Sequence, residues 1–318
     1  MIIITQNYYF LSVLCDIMNI EETATKITTM EIRGAGKIAR AAASALKKYA
    51  KELKETDPKK FIIALTQAKD RLFNTRPTAV SLGNALSAVL AGAKGDSVDE
   101  IREGVIAAAD MFIKSSKTAI KTISDTCAGL IHNGDTIITH CNSTVAVQSI
   151  IKAHSDGTEI RVFAPETRPW RQGFITAQTL ADAGVDVTLI VDSAVRFFMP
   201  ETNIVIVGAD TIMGNGSVVN KIGTSQIALC AHEHNVPVIV CAETYKFSKS
   251  VGKDDTIIIE ERDSTEIVGP GKLTGVKIRN PVFDITPPKY ITAIITEIGK
   301  ISPHETSNII QGLVKLDT

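Results

Sequence analysis

The sequence predicts an α/β protein: a helical N-terminal domain followed by a domain built on a mainly parallel sheet. Three observations carry this expectation. Up to about residue 130, apolar residues recur at helical spacing and no convincing strand interrupts them. After Asn133-Gly134-Asp135, short β-branched runs alternate with amphipathic stretches, the pattern of βαβ units. The chain has 318 residues, long enough for two domains.

The elements follow in order. Residues 1–20, MIIITQNYYFLSVLCDIMNI, are apolar, but the first basic residue is Lys26, so the basic start of a secretory signal is missing. Gln6, Asn7 and Asp16 interrupt the run, which is too short and too polar to span a bilayer. It reads as an extra helix or an upstream start, with Met18 opening a more ordinary beginning. In GKIARAAASALKKYAKEL, Ile38, Ala42, Leu46, Tyr49 and Leu53 share one helical face and basic residues take the other. Ser97 followed by Glu100 is a capping-box signature. It opens a long helical run toward Ile131, with Ile101, Val105, Ala108 and Phe112 at helical spacing.

Strands are expected at 136–139, 160–164, 185–191, 203–208, 237–242 and 256–260. Helices are expected near 144–154, 173–183, 193–199 and 220–234, the last with Asn220 and Lys221 at its start. No internal repeat, low-complexity tract or long linker is visible. The apolar stretch YITAIITEIGKI at 290–301 fits a buried interface and ordinary core packing equally well.

Apolar residues make up 44% and charged residues 22%, the balance of a soluble globular chain. The net charge of −1 provides no global field to recruit nucleic acid, so an anionic ligand must be held by local donors. Cysteines stand at 15, 127, 141, 230 and 241, with no paired spacing that suggests zinc or a disulfide framework. A reducing cytoplasm is the simplest compartment.

Ligands of an open parallel sheet bind beyond the carboxyl ends of its strands. The residues that follow each run are therefore the candidates. They are His140, Cys141, Asn142 and Ser143; Glu166, Thr167 and Arg168; Asp192 and Ser193; Asp210; and Glu243, Thr244 and Lys246. Polar strand ends are common in any α/β protein, and a single cysteine there is more often inert than catalytic. Cys141 stands out by its polar company and by a position at a helix start, where the dipole favours a thiolate. Cys127, Cys230 and Cys241 lie in apolar segments and read as core. His232 and His234 are two apart on a helix and read as surface residues. RGAGKIAR at 33–40 places glycines at a helix start without a preceding strand. Arg33, Lys37, Arg76, Arg168, Lys221 and Lys246 together suggest an anion with more than one phosphate.

RGAGKIARAA, TRPTAVSL, THCNS, ETRPWRQG, GADTI, NKIGT, AETYKF and NPVFDITPP together resemble a known family. It joins sugar-1-phosphate aldose–ketose isomerases to the regulatory subunits of the eukaryotic exchange factor for translation initiation factor 2. The segments keep family order and cover roughly residues 20–318. The resemblance implies a helical domain over 18–130 and a Rossmann-like domain over 131–318, and pairing through C-terminal domains into a homo-oligomer, a dimer or a trimer of dimers.

Within that family, the isomerases share a cysteine in THC and an aspartate in GAD, present here as Cys141 and Asp210. The non-catalytic subunits generally lack the pair, which leaves a regulatory binding protein as the alternative. Methylthioribose-1-phosphate isomerases, a second alternative, look like RGAPAI and RPTAVNL. Here Lys37 follows Arg33-Gly34-Ala35-Gly36, Ser81 stands in the second motif, and Ser143-Thr144 follows Asn142. These choices resemble the archaeal bisphosphate branch, ribose-1,5-bisphosphate isomerase. Trp170-Arg171 departs from the basic–aromatic or basic–aliphatic pair common in relatives.

The resemblance implies conversion of ribose 1,5-bisphosphate to ribulose 1,5-bisphosphate, feeding nucleotide-derived ribose into carbon metabolism. Asp210 is the implied acid, kept protonated in a water-poor site, and Cys141 the implied base. A hydride shift between the two carbons is an alternative route. Arg33, Gly34, Ala35, Arg76, Ser143, Arg168, Asn220, Lys221 and Lys246 are the implied substrate contacts. The expected ligand is a sugar bisphosphate, with no metal, organic cofactor, nucleic acid or membrane involved.

Overall fold

The computed structural model describes residues 19–248, 258–269, 271–273 and 275–316. The N-terminal stretch with Cys15 and Met18 lies outside these residues, as do positions 256 and 257 of the run expected at 256–260. The chain forms two compact units, Met1–Thr118 and Ala119–Thr318.

The first unit is helical throughout its described residues. It holds α1 (Ile20–Thr28), α2 (Ala35–Glu52), α3 (Pro58–Phe73), α4 (Val80–Leu90) and most of α5 (Val98–Ala128). Side chains cap three of these starts, those of α1, α3 and α5. Asn19 accepts the Glu22 N–H at 2.8 Å, and Asp57 accepts that of Lys60 at 2.9 Å with Pro58 in the first turn. Ser97 and Glu100 form the expected capping box: Ser97 Oγ accepts the Glu100 N–H at 3.2 Å, and a Glu100 oxygen accepts the Ser97 N–H at 3.0 Å. On α2, Ile38, Ala42 and Leu46 are buried and Tyr49 is half-buried. On α5, Ile101, Val105 and Phe112 are buried, with Ala109 rather than Ala108 completing the fully buried row. Each fully buried Leu or Ile contributes about 1.5–3 kcal/mol relative to exposure.

The second unit alternates strands and helices. It begins with β1 (Thr136–Ile138), α6 (Thr144–Ser155), β2 (Arg161–Pro165), α7 (Gln172–Asp182) and β3 (Asp186–Ile190). Then come α8 (Val195–Phe198), β4 (Ile204–Gly208), β5 (Thr211–Ile212), β6 (Val218–Lys221), α9 (Thr224–Glu233) and β7 (Val238–Cys241). It closes with β8 (Phe283–Thr286), β9 (Ala293–Thr296), β10 (Gly299–Ile301) and α10 (Thr306–Leu316). Seven strands form the main sheet in the order β10-β9-β7-β4-β1-β2-β3, parallel except for the β9–β10 hairpin.

Strand residues alternate between two cores because side chains alternate across a sheet. Ile138, Val205, Val207, Val238, Val240 and Ile294 pack on one face with Ile227, Ala228 and Ala231 of α9. Ile137, Ile204, Ile206, Ile239 and Ile295 pack on the other with Val145 and Ile150 of α6 and the end of α5. Cys127 and Cys241 lie in that second core, as expected, while Cys230 packs half-buried at the edge of the first.

Several expectations change. The helix expected at 220–234 begins only at Thr224. Residues 218–221 are β6, the centre of a small antiparallel sheet ordered β5-β6-β8. The β-branched pair Val218-Val219 finds partners in β8, and Gly223, at φ 102°, starts the helix. The described part of the 256–260 run is not a strand, and Glu261 makes an isolated bridge to Pro281. The 193–199 helix is a single α turn between 3₁₀ turns. Within the 290–301 stretch, residues 293–296 form β9 and are fully buried, while Ile298 is exposed.

Candidate active site

The chain lays β2 and β3 on one side of β1, then returns to place β4 on the other. That reversal of strand order is a switch point, where the crossover helices diverge and leave a crevice beyond the strands. Cys141 follows β1 and Asp210 follows β4, so the two lead off neighbouring parallel strands on either side of the switch point.

The turn carrying Cys141 is held tightly. Cys141 has a left-handed φ of 63°, uncommon for a residue with a Cβ and typical of strained functional turns. Its N–H donates to Thr167 Oγ1 at 3.1 Å, and its carbonyl accepts from Thr176 Oγ1 at 2.7 Å. Thr167, fully buried and also left-handed at φ 62°, donates its N–H to Asp192 Oδ1 at 2.7 Å. The Arg168 N–H donates to the other oxygen of Asp192 at 2.7 Å. Asp192 therefore fixes the β2 loop, and that loop fixes the thiol's backbone.

Ser143 caps α6, accepting the Ala146 N–H at 3.4 Å, two residues after Cys141. A Cβ added to Gly208 would lie 2.3 Å from Ser143 Oγ. The cysteine turn thus presses on the end of β4, two residues before Asp210. Asp210 is half-buried, and its N–H donates to Val219 of β6 at 2.9 Å.

His140 joins this turn to a third segment. Its Nε2 lies 2.9 Å from the Ile222 carbonyl and its Nδ1 3.5 Å from Thr167 Oγ1. A carbonyl only accepts, so Nε2 carries a proton. Burial lowers the imidazole pKa below its ordinary value; the Ile222 carbonyl and Asp192 oppose this, and the Lys221 ammonium adds to it. Lys221 is buried, with its Nζ 5.1 Å from the centre of the Phe283 ring. Asn220 is buried and donates to Thr224 Oγ1 at 3.0 Å.

The remaining candidates are placed differently. Lys246 is buried against Glu243, Nζ to Oε2 2.7 Å. Burial alone raises the Glu243 carboxyl, but Lys246 and the Tyr245 hydroxyl outweigh it and hold the group below its ordinary value. Arg168 is exposed and donates to the Ile267 carbonyl at 2.9 Å. In the helical unit, Gly34 caps α2 with φ 89° and Arg76 is buried. Ser81 Oγ donates to the Ala35 carbonyl at 3.4 Å, so Arg33, Gly34 and Ala35 lie beside the segment after Arg76. His232 is exposed, while His234 is half-buried with Nδ1 2.9 Å from the Cys230 carbonyl. Among the described residues no cluster of three His, Cys, Asp or Glu could hold a metal, and no helix is long and apolar enough to cross a membrane.

Residues 31–303 match the model of the Initiation factor 2 subunit family. The chain belongs to that family. Members similar to it include a protein named ribose 1,5-bisphosphate isomerase from Methanocaldococcus jannaschii, 52% identical over 92% of this chain and 94% of the relative. A methylthioribose-1-phosphate isomerase from Geobacter metallireducens is 40% identical over 95% of this chain and 92% of the relative. Among solved structures, the 5-methylthioribose 1-phosphate isomerase of Pyrococcus horikoshii OT3 is similar with TM-score 0.79, 33% identity, and coverage of 94% of this chain and 88% of that one. A translation initiation factor eIF-2B from the same organism gives 0.78 at 32% identity, covering 89% and 97%.

Thr167 is a strand-end candidate in the sequence, whereas Thr176 and Asp284 carry no local signal of the contacts they make here. The two threonines are ordinary-looking loop and helix residues; only the fold shows that they clamp the Cys141 backbone. Asp284, inside NPVFDITPP, accepts the N–H groups of Gly223 at 2.8 Å and Ser225 at 3.1 Å.

Proposed function

We propose that this chain is an aldose–ketose isomerase that converts ribose 1,5-bisphosphate to ribulose 1,5-bisphosphate. The observation that carries the reading is the placement of Cys141 and Asp210 at the carboxyl ends of β1 and β4, across the switch point. Relatives named ribose 1,5-bisphosphate isomerase at 42–52% identity support the substrate.

In this reading Asp210 gives its proton to the ring oxygen and the C1–O bond of the ring breaks. Cys141, as thiolate, takes the C2 hydrogen as a proton, leaving an enol across C1 and C2. The proton returns from sulfur to C1, and the C2 hydroxyl proton passes to Asp210 as the ketone forms. Atoms balance and both groups are restored. Lys221 and Asn220 hold phosphate in the second unit, with Arg168 and the Ser143 turn.

Purified protein should turn over ribose 1,5-bisphosphate in preference to methylthioribose 1-phosphate. Cys141→Ser and Asp210→Asn should each lower kcat by about 10³-fold or more, with the thermal midpoint and substrate affinity little changed. Near-wild-type turnover by either variant sinks the mechanism. Preference for the methylthio sugar moves the substrate, and turnover of neither sugar leaves a binding protein.

A further inference from the structure

We infer that Phe283 and Asp284 are positioning residues for the turn that carries Lys221, Phe283 by seating the ammonium and Asp284 by pinning the backbone; the inference rests on the isomerase reading, in which Lys221 holds substrate phosphate. Four observations converge on this turn. First, β8 runs antiparallel beside β6, with Phe283 opposite Lys221 and Asp284 opposite Asn220. Cross-strand partners share a face of the sheet, so each β8 residue addresses one β6 residue. Second, the Lys221 ammonium lies 5.1 Å from the Phe283 ring centre, a distance at which the negative ring face attracts a cation.

Third, the Asp284 carboxylate accepts from Gly223 at 2.8 Å and Ser225 at 3.1 Å. These donors are the cap and the second residue of α9, helix-start N–H groups with no partner inside the helix. The cap comes from a strand about 60 positions later in the chain, so it ties the turn to β8 rather than merely ending a helix. Fourth, the pinned turn is pressed against the cysteine segment. The Ile222 carbonyl meets His140 Nε2 at 2.9 Å, and a Cβ on Gly223 would sit 3.1 Å from that nitrogen. A shift of the turn therefore reaches both the lysine and the residue before Cys141.

The test compares Asp284→Ala, Asp284→Asn and Phe283→Leu with the wild type. Asp284→Ala should raise KM for ribose 1,5-bisphosphate about tenfold or more. Asp284→Asn should rescue part of that loss, because a neutral amide oxygen still accepts these N–H groups, more weakly than a carboxylate. Phe283→Leu should raise KM about threefold, since it keeps bulk and loses the ring face. Folded variants with wild-type KM overturn the inference. Amide hydrogen exchange of the ligand-free protein reads the pinning without substrate: Asp284→Ala should speed exchange at residues 221–225 and at 140–141. Unchanged exchange there, or acceleration confined to 221–225, overturns it. If the wild type turns over neither sugar phosphate, the isomerase reading falls, and the exchange result alone decides whether Asp284 positions the turn.

Discussion

Lys221, at the end of β6, and Lys246, after β7, are both buried cations, at 9% and 5% exposure. Lys246 has a carboxylate 2.7 Å away in Glu243, itself 2% exposed. Lys221 forms no ion pair among the described residues and faces an aromatic ring instead. A buried ammonium without a counter-charge is costly, and a bound anion would supply one. In the isomerase reading proposed above, this difference assigns Lys246 to the scaffold and Lys221 to substrate.

The largest effect that tests this contrast is on stability. Lys246→Met leaves the Glu243 carboxylate buried and uncompensated, which should cost about 3–5 kcal/mol in urea unfolding. The double variant Glu243→Gln, Lys246→Met should recover most of that loss. If Lys246→Met unfolds like the wild type, the pair is not structural.

Next in size is substrate binding. Lys221→Met should raise KM for ribose 1,5-bisphosphate about 10–100-fold, the value of one charge-assisted contact of about 1.5–3 kcal/mol. Its urea midpoint should hold or rise, since an unpaired buried charge is removed. The contrast breaks if Lys221→Met destabilises as much as Lys246→Met, or if the double variant at 243 and 246 binds substrate as weakly as Lys221→Met.

How far the sequence revealed this arrangement depends on how local each cause is. The parallel strands were legible because strands buried on both faces must be continuous apolar runs, as in NIVIVG and PVIVCA. The rim residues Cys141 and Asp210 were legible because they end such runs. From sequence, Lys221 sits at a helix start, since Asn215-Gly216 followed by Val218-Val219 resembles a turn entering either element. What decided it was pairing with Phe283-Asp284, far along the chain, which no short window contains. The Glu243–Lys246 pair spans only three positions and is still hidden in the sequence, because burial distinguishes a closed ion pair from two rim charges. Asp284 lies in NPVFDITPP, but its role as a cap exists only once β8 lies beside α9.

The smallest effect is a pH dependence that places Asp284 between the two lysines. Burial pushes its carboxyl from an ordinary 3.8 up to about 6, although the Ser225 and Gly223 N–H groups pull the other way. Its register partner on β6 is the uncharged Asn220, Lys221 takes the neighbouring position opposite Phe283, and the first turn of α9 carries no charged side chain. A carboxyl raised by the fold favours the protonated native state. Its stabilising contribution is full below the unfolded value and is lost as pH rises through about 6. Between pH 5 and 7 the wild type should therefore lose about 1 kcal/mol relative to Asp284→Asn, read from urea midpoints at several pH values. Parallel profiles for the two proteins break the argument. The ionised form is also the stronger acceptor for both N–H groups that pin the Lys221 turn, so the pH range that favours binding is the range in which this residue weakens the fold. That opposition is expected of a group retained to position a site, and it is absent from Glu243, whose charge Lys246 already stabilises.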